Sequence, residues 1–196
     1  MYNFLKQYKK GTTVVVFIHL TTMSTTVNMT IMLKLSTNID LRELETRSDD
    51  IVYCPEVFSG AKFRCLSPSY SALIFRTGAV TLTGIKSMEA GQKAAEHLIA
   101  KLAGLGLTLD IVSLNVKNHV LSFNAGIPIH LPSFYEKHSS ESSYETELFP
   151  GLIYKPKAMK VTILIFSSGK MIATGIRDND QIINVQALLN ELTLSL

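Results

Sequence analysis

Four phenylalanines stand out by position rather than by type. Phe58 and Phe149 lie 91 residues apart, and so do Phe75 and Phe166. Each belongs to a string that the chain writes twice. "YCPEVFSGAKF" from Tyr53 is echoed by "YETELFPGLIY" from Tyr144, "ALIFRTG" from Ala72 by "ILIFSSG" from Ile163, and "LTG" from Leu82 by "ATG" from Ala173. Three matches at one spacing identify an internal repeat. A phenyl ring is a flat apolar surface that fills or stacks. Any one of these rings is most simply a core residue. Strand alternation, however, puts Ser71, Leu73 and Phe75 on one side, and Thr162, Leu164 and Phe166 on the matching side of the second copy. A duplicated apolar face of this kind needs a large partner, or it becomes an aggregation liability. The chemistry is binding.

Catalysis is not indicated. His19, His97, His119, His130 and His138 belong to no H-E-x-x-H motif, no nucleophile elbow and no carboxylate pair. "GLGLTLD" reads as a helix end rather than a phosphate loop. Cys54 and Cys65 form no C-x-x-C pair and have no histidines at ligand spacing, so they read as two reduced thiols. No enzyme activity, metal or cofactor is expected. A chain of 196 residues with 46% hydrophobic and 18% charged residues is of ordinary globular composition. A net charge of +3 and a pI near 8.8 permit a polyanionic partner without demanding one.

The elements that must position these residues follow from periodicity. Residues 1–24 lie outside the repeat and read as a variable arm with room for one strand. Its lysines and the run "VVVFIHL" superficially suggest a signal peptide, but the run is short, contains His19 and lacks a cleavage site. No segment approaches the length of a membrane span. The first repeat is expected over 25–110 and the second over 111–196. In "VNMTIMLKL" the residues Met29, Ile31, Leu33 and Leu35 alternate as one strand face. "TNIDLRELETRS" reads as a helix capped by Thr37 or Asn38. Short strands "GAKFRCL", "SALIF" and "AVTLTG" follow, then a long helix in "SMEAGQKAAEHLIAKLAGLG". The second copy has the same order: a strand in "LDIVSLNVKNHVLSF", a helical or irregular link in "LPSFYEKHSSESS", hairpin strands from Gly151 to Thr174, and a last helix in "DQIINVQALLNELTL". An α+β fold of two pseudo-symmetric halves is expected, with one sheet face left open.

With "YETELFPGLIY", "ILIFSSGKMIATG" and "SALIFRTG…LTGIK" in view, the chain resembles the TATA-box-binding proteins, as a divergent relative of them. The resemblance runs from about Val27 to Tyr135 and resumes through Leu192. It implies a saddle: a curved antiparallel sheet with helices on its convex face and DNA in its concave one. The family is itself the standard case of minor-groove binding with inserted apolar wedges and a sharp kink. Phe58 with Phe75, and Phe149 with Phe166, match the two intercalating pairs. Asn28, Thr83, Asn118, Val120 and Thr174, with Leu73, Leu164 and Ile172, match groove-floor contacts. Arg64, Lys86, Lys155, Lys170 and Arg177 match phosphate contacts, and Glu145, Glu147 and Leu148 a turn that meets a TFIIB-like factor. The chemistry suits the name, because A·T pairs show only acceptors in the minor groove, so amide and hydroxyl donors suffice.

The resemblance further implies a nuclear transcription initiation factor that binds and bends TATA-like double-stranded DNA and nucleates a preinitiation complex. There are departures. Ala79 and Leu66 stand where the family has basic residues, and Thr30 and Thr81 where its floor is usually valine. Gln92, Glu96, His97, Ala100 and Gly104 replace most of the usual basic residues of the long first-repeat helix, which puts contacts of a TFIIA-like partner in doubt. These losses leave open a second reading, a saddle that acts mainly as a protein-interaction scaffold with weak TATA binding.

Overall fold

The computed structural model describes residues 24–195 in full and the backbone of residues 3–9 and 12–18. The latter are two strands, β1 (Asn3–Lys9) and β2 (Thr12–Ile18), paired antiparallel from Asn3 opposite Ile18 to Lys9 opposite Thr12. The expectation of a single strand in the arm is therefore corrected. "NFLKQYK" supplies a partner for the β-branched run, satisfying backbone groups that one strand would leave unpaired. His19 lies outside the described residues.

The remaining ten strands form one antiparallel sheet whose order reads as two mirrored sets. The first set comprises β3 (Thr25–Leu35), β4 (Ile51–Val52), β5 (Gly60–Leu66), β6 (Ser69–Phe75) and β7 (Ala79–Ile85). The second comprises β8 (Ile111–Asn124), β9 (Ser142–Ser143), β10 (Leu152–Tyr154), β11 (Thr162–Ile165) and β12 (Lys170–Ile176). In space they run β4-β5-β6-β7-β3, then β8-β12-β11-β10-β9. The long strands β3 and β8 pair at the centre, and each outer edge is a strand of only two residues. Edges this short offer little template for further strand pairing.

The sheet is curved, and four helices cover its convex face. Alternation assigns Met29, Ile31, Leu33 and Leu35 to that side, where all four are buried. Helices α1 (Leu41–Thr46) and α2 (Met88–Gly104) close a core over the first half, using Leu41, Leu44, Ala94, Ala95, Leu98 and Leu102. Helices α3 (Leu131–His138) and α4 (Asn179–Leu194) do the same over the second with Leu131, Phe134, Val185, Leu189 and Leu192. Each fully buried aliphatic side chain stabilises by roughly 1.5–3 kcal/mol, so each half has its own hydrophobic anchor.

Two local expectations need correcting. Neither Thr37 nor Asn38 caps α1. The Ile39 N–H donates to the Arg76 carbonyl at 2.9 Å, which keeps the chain extended to that point, and Asp40 caps the amides of Arg42 and Glu43 instead. The link left as helical or irregular in the second repeat is a true helix, built the same way. Ile129 N–H donates to the Ser167 carbonyl at 2.9 Å, and His130 Nδ1 then accepts from the Ser133 amide at 3.3 Å.

Candidate nucleic-acid interface

The concave face is built twice over. In the first half, Phe58 and Phe75 meet edge to face, with ring centroids 5.8 Å apart and planes inclined at 64°. In the second, Phe149 and Phe166 repeat this at 5.7 Å and 64°. All four rings are half-buried. One ring of each pair comes from a turn: Phe58 N–H donates to the Cys54 carbonyl at 2.9 Å, and Phe149 N–H to the Glu145 carbonyl at 3.0 Å. The other ends a strand beside a tight hairpin. Between the rings lie Gly60 and Gly151, which the sequence reading passed over. A Cβ there would come within 2.9 Å of the Phe58 ring or 2.8 Å of the Phe149 ring. The signal was present, since both repeated strings place glycine two residues after the aromatic.

The floor between the ring pairs carries the polar groups, and sheet irregularity explains why. The β3–β7 register slips between Met29 and Ile31, so that Thr83 and Gly84 together oppose Thr30. The β12–β8 register slips in the same way, with Thr174 and Gly175 opposing Val120. A bulge leaves one backbone N–H without a ladder partner. Here the Gly84 N–H donates to Asn28 Oδ1 at 2.9 Å and the Gly175 N–H to Asn118 Oδ1 at 2.8 Å. Both glycines have positive φ, 83° and 90°, a region other residues rarely adopt. With its oxygen so engaged, each asparagine turns its amide nitrogen toward the neighbouring threonine: Asn28 Nδ2 lies 3.4 Å from Thr83 Oγ1, and Asn118 Nδ2 lies 3.2 Å from Thr174 Oγ1. A threonine oxygen that accepts there can turn its own proton outward, although the Thr174 hydroxyl also lies within 3.5 Å of Asn118 Oδ1 as a donor, and one amide hydrogen also remains. Each half therefore presents donors to a ligand that offers acceptors.

Leu73, Leu164, Ile172 and Val120 line the same face, half-buried. Lys62, missed in the sequence, joins them. It stands opposite Leu73 in the register, and its Nζ lies 5.6 Å from the centroid of the Phe58 ring. The 91-residue offset could have exposed it, because its counterpart is Ile153. Arg64, Lys86, Lys155, Lys170 and Arg177 are all exposed, and none enters an ion pair among the described residues. At the end of the second half, Glu145, Glu147 and Leu148 project from the turn that bears Phe149, and Leu148 is 81% exposed. On the convex side, the outer face of α2 is largely paired within itself: Lys93 bridges Glu89 at 2.7 Å and Gln92 donates to Glu96 at 3.1 Å.

The histidines fall away from this face. His97 Nδ1 is 2.9 Å from the Tyr70 hydroxyl, whose pKa burial raises above its ordinary range. His138 packs on Phe134 and Tyr154. His119 is 7% exposed, on the helix side between Met29 and Ile176, and its Nδ1 has no partner among the described residues. Cys54 is exposed, Cys65 is half-buried, and both are free thiols.

A family model described as "Transcription factor TFIID (or TATA-binding protein, TBP)" matches residues 23–105 and 113–192. The chain belongs to the TATA-binding protein family. TATA-box-binding protein 2 of Entamoeba histolytica is 33% identical over 156 residues, covering 80% of this chain and 74% of the relative. TATA-box-binding protein of Methanothermococcus thermolithotrophicus is 36% identical over 155 residues, covering 79% and 84%. Among solved structures, the Methanococcus jannaschii TBP superposes with a TM-score of 0.77 at 31% identity, covering 88% of this chain and 99% of that one. The TATA-binding protein saddle is thus the fold of this chain, and the paired rings and bulge asparagines occupy its concave side.

Proposed function

We propose that the protein is a transcription initiation factor that binds TATA-like promoter DNA through the minor groove, kinks it at two base steps, and presents the bent duplex to a TFIIB-like factor. The observation that carries this is the pair of asparagine–threonine donor sets on the floor between two ring pairs. Adenine N3 and thymine O2 are acceptors, so the amide and hydroxyl donors of Asn28, Thr83, Asn118 and Thr174 suit A·T pairs. Phe58 with Phe75, and Phe149 with Phe166, act as wedges at the two ends. Unstacking costs a few kcal/mol per step, which burial of Leu73, Leu164, Ile172 and Val120 against sugars and base edges helps to offset. Pyrimidine–purine steps such as TA unstack most cheaply, which favours TATA-like sequence without direct base readout.

Arg64, Lys86, Lys155, Lys170 and Arg177 supply phosphate contacts, which fix register and confer salt dependence. Glu145, Glu147 and Leu148 offer an acidic, apolar-tipped turn to the TFIIB-like partner. The self-paired outer face of α2 argues against a TFIIA-like partner there. In a nucleated cell the site of action is the nucleus.

Anisotropy titration of a TATA duplex against one with G·C pairs throughout tests the reading, with energy transfer between duplex ends reporting the bend. Preferential binding with bending is expected. Equal affinities would leave the saddle as an interaction scaffold and sink the proposal.

A further inference from the structure

The floors of the two halves differ at positions that are otherwise equivalent. In the first half Thr30 faces the Thr83–Gly84 bulge, and Thr81 lies between Leu73 and Met32 across the strands. In the second, Val120 faces the Thr174–Gly175 bulge, and Ile172 lies between Leu164 and Ser122. Lys62 opposite Leu73 has Ile153 opposite Leu164 as its counterpart. All these floor residues are half-buried except the exposed Lys62 and Met32. Neither the Thr30 nor the Thr81 hydroxyl has a hydrogen-bond partner among the described residues.

Threonine and valine share a shape, so the exchange of Val120 for Thr30 replaces a methyl by a hydroxyl at unchanged volume. The hydroxyl matters because a G·C pair adds one group to the minor groove, the guanine N2 amino donor. Against Val120 and Ile172 that donor loses water and gains nothing, a desolvation penalty. Against Thr30 and Thr81 it meets an acceptor, and over an A·T pair the same hydroxyl rotates to donate to N3 or O2. The one exchange of opposite sense, Met32 for Ser122, gives the second half a hydroxyl that the first lacks at that position, and it lies opposite Thr25 on the neighbouring strand.

Building on the DNA-binding reading above, we propose that the first half admits G·C pairs in its half of the site while the second half demands A·T pairs. A composite duplex, an A·T half joined to a half that contains G·C, is then tolerated, and it is bound in one orientation. Thr30 and Thr81 are the specificity-determining residues.

Three duplexes of equal length test this with the full chain by anisotropy: one all A·T, one with two G·C pairs in one half, and one with two in each half. Orientation is read by energy transfer from a dye on Cys54, which is exposed in the first half, to a dye at one duplex end, in a Cys65→Ser background. The one-half duplex should bind within about threefold of the all-A·T duplex, and the two-half duplex more than about tenfold weaker, since a disfavoured pair costs roughly 1–3 kcal/mol. The dye should place the first half over the G·C half. Thr30→Val with Thr81→Val should extend the tenfold loss to the one-half duplex, and Val120→Thr with Ile172→Thr should rescue the two-half duplex. Equal stepwise losses for one and two substituted halves, or a mixed orientation on the one-half duplex, overturn the inference while leaving DNA binding intact. No binding to the all-A·T duplex overturns the DNA-binding reading and this inference with it.

Discussion

The two halves of the saddle share a skeleton and differ in what they show. Ring geometry agrees to 0.1 Å in centroid spacing, 5.8 against 5.7 Å, with the same inclination of 64°. Bulge, asparagine and threonine agree as well. Yet the first half carries Lys62, Thr30 and Thr81 where the second carries Ile153, Val120 and Ile172, and Ala79 where the second has Lys170. Duplication therefore held the rings, the bulge and its asparagine, while the floor between the rings and the charge around it diverged. Geometry is harder to change than surface chemistry, because rings, bulge and core are mutually constrained.

The largest test of that contrast removes the wedges one half at a time. Phe149→Ala with Phe166→Ala should lower affinity by about tenfold to a hundredfold, on the scale of lost base–aromatic stacking. The same change at Phe58 and Phe75 should cost less, because Lys62 retains electrostatic hold there. Bend angle by energy transfer should fall in both. An unchanged bend with the fold intact would exclude intercalation.

Next comes the bulge. Gly175→Ala should destabilise by about 1–2 kcal/mol from its positive φ. Gly84→Ala should cost less, because a Cβ at Gly175 would lie 3.1 Å from the Lys160 carbonyl oxygen, whereas at Gly84 the nearest atom is 3.6 Å away. Denaturant midpoints measure the difference, and equal midpoints would mean the halves relax alike.

Charge gives a smaller effect. Lys170→Ala should lower the slope of log affinity against log salt by about one, and Ala79→Lys should raise it by about one, if each position faces one phosphate. The smallest effect concerns His119, whose counterpart in the first half is Met29. Burial holds its pKa below the ordinary 6.5, partly offset by the nearby Asp178 carboxylate. The unfolded chain therefore binds the proton more readily, and stability falls as pH drops through 6.5 toward the folded value. His119→Met should flatten that decline in melting temperature between neutral and acid pH. A persistent slope would place its origin elsewhere.

Much of this was readable in advance, and the pattern of what was not is physical. The ring pairs and the core faces follow from two periodicities, the alternation of strands and the 91-residue repeat, and both survive in a bare string. Asn28 and Asn118 could be matched to the resembled family, but their local role could not be seen. Strand sequence does not declare where a register slips, so the orphaned glycine amides were invisible. The cap of α1 was misplaced because Ile39 is held by Arg76, far along the chain. Helix α3 was ambiguous because His130 is a rare cap. Lys62 escaped notice because a lysine on a strand usually reads as solvated surface, and only its nearness to the Phe58 ring gives it a place in the floor.

The central pairing of β3 with β8 makes the ten strands one continuous sheet. The two ring pairs thereby stand on one framework, at a separation set by the strands between them. If the rings insert as proposed, such a framework gauges length as well as sequence. Each base pair inserted between the kinked steps lengthens the duplex by about 3.4 Å and rotates the far step out of reach. On the proposed reading, spacing is thus set by the backbone of the saddle, with no side chain assigned to it.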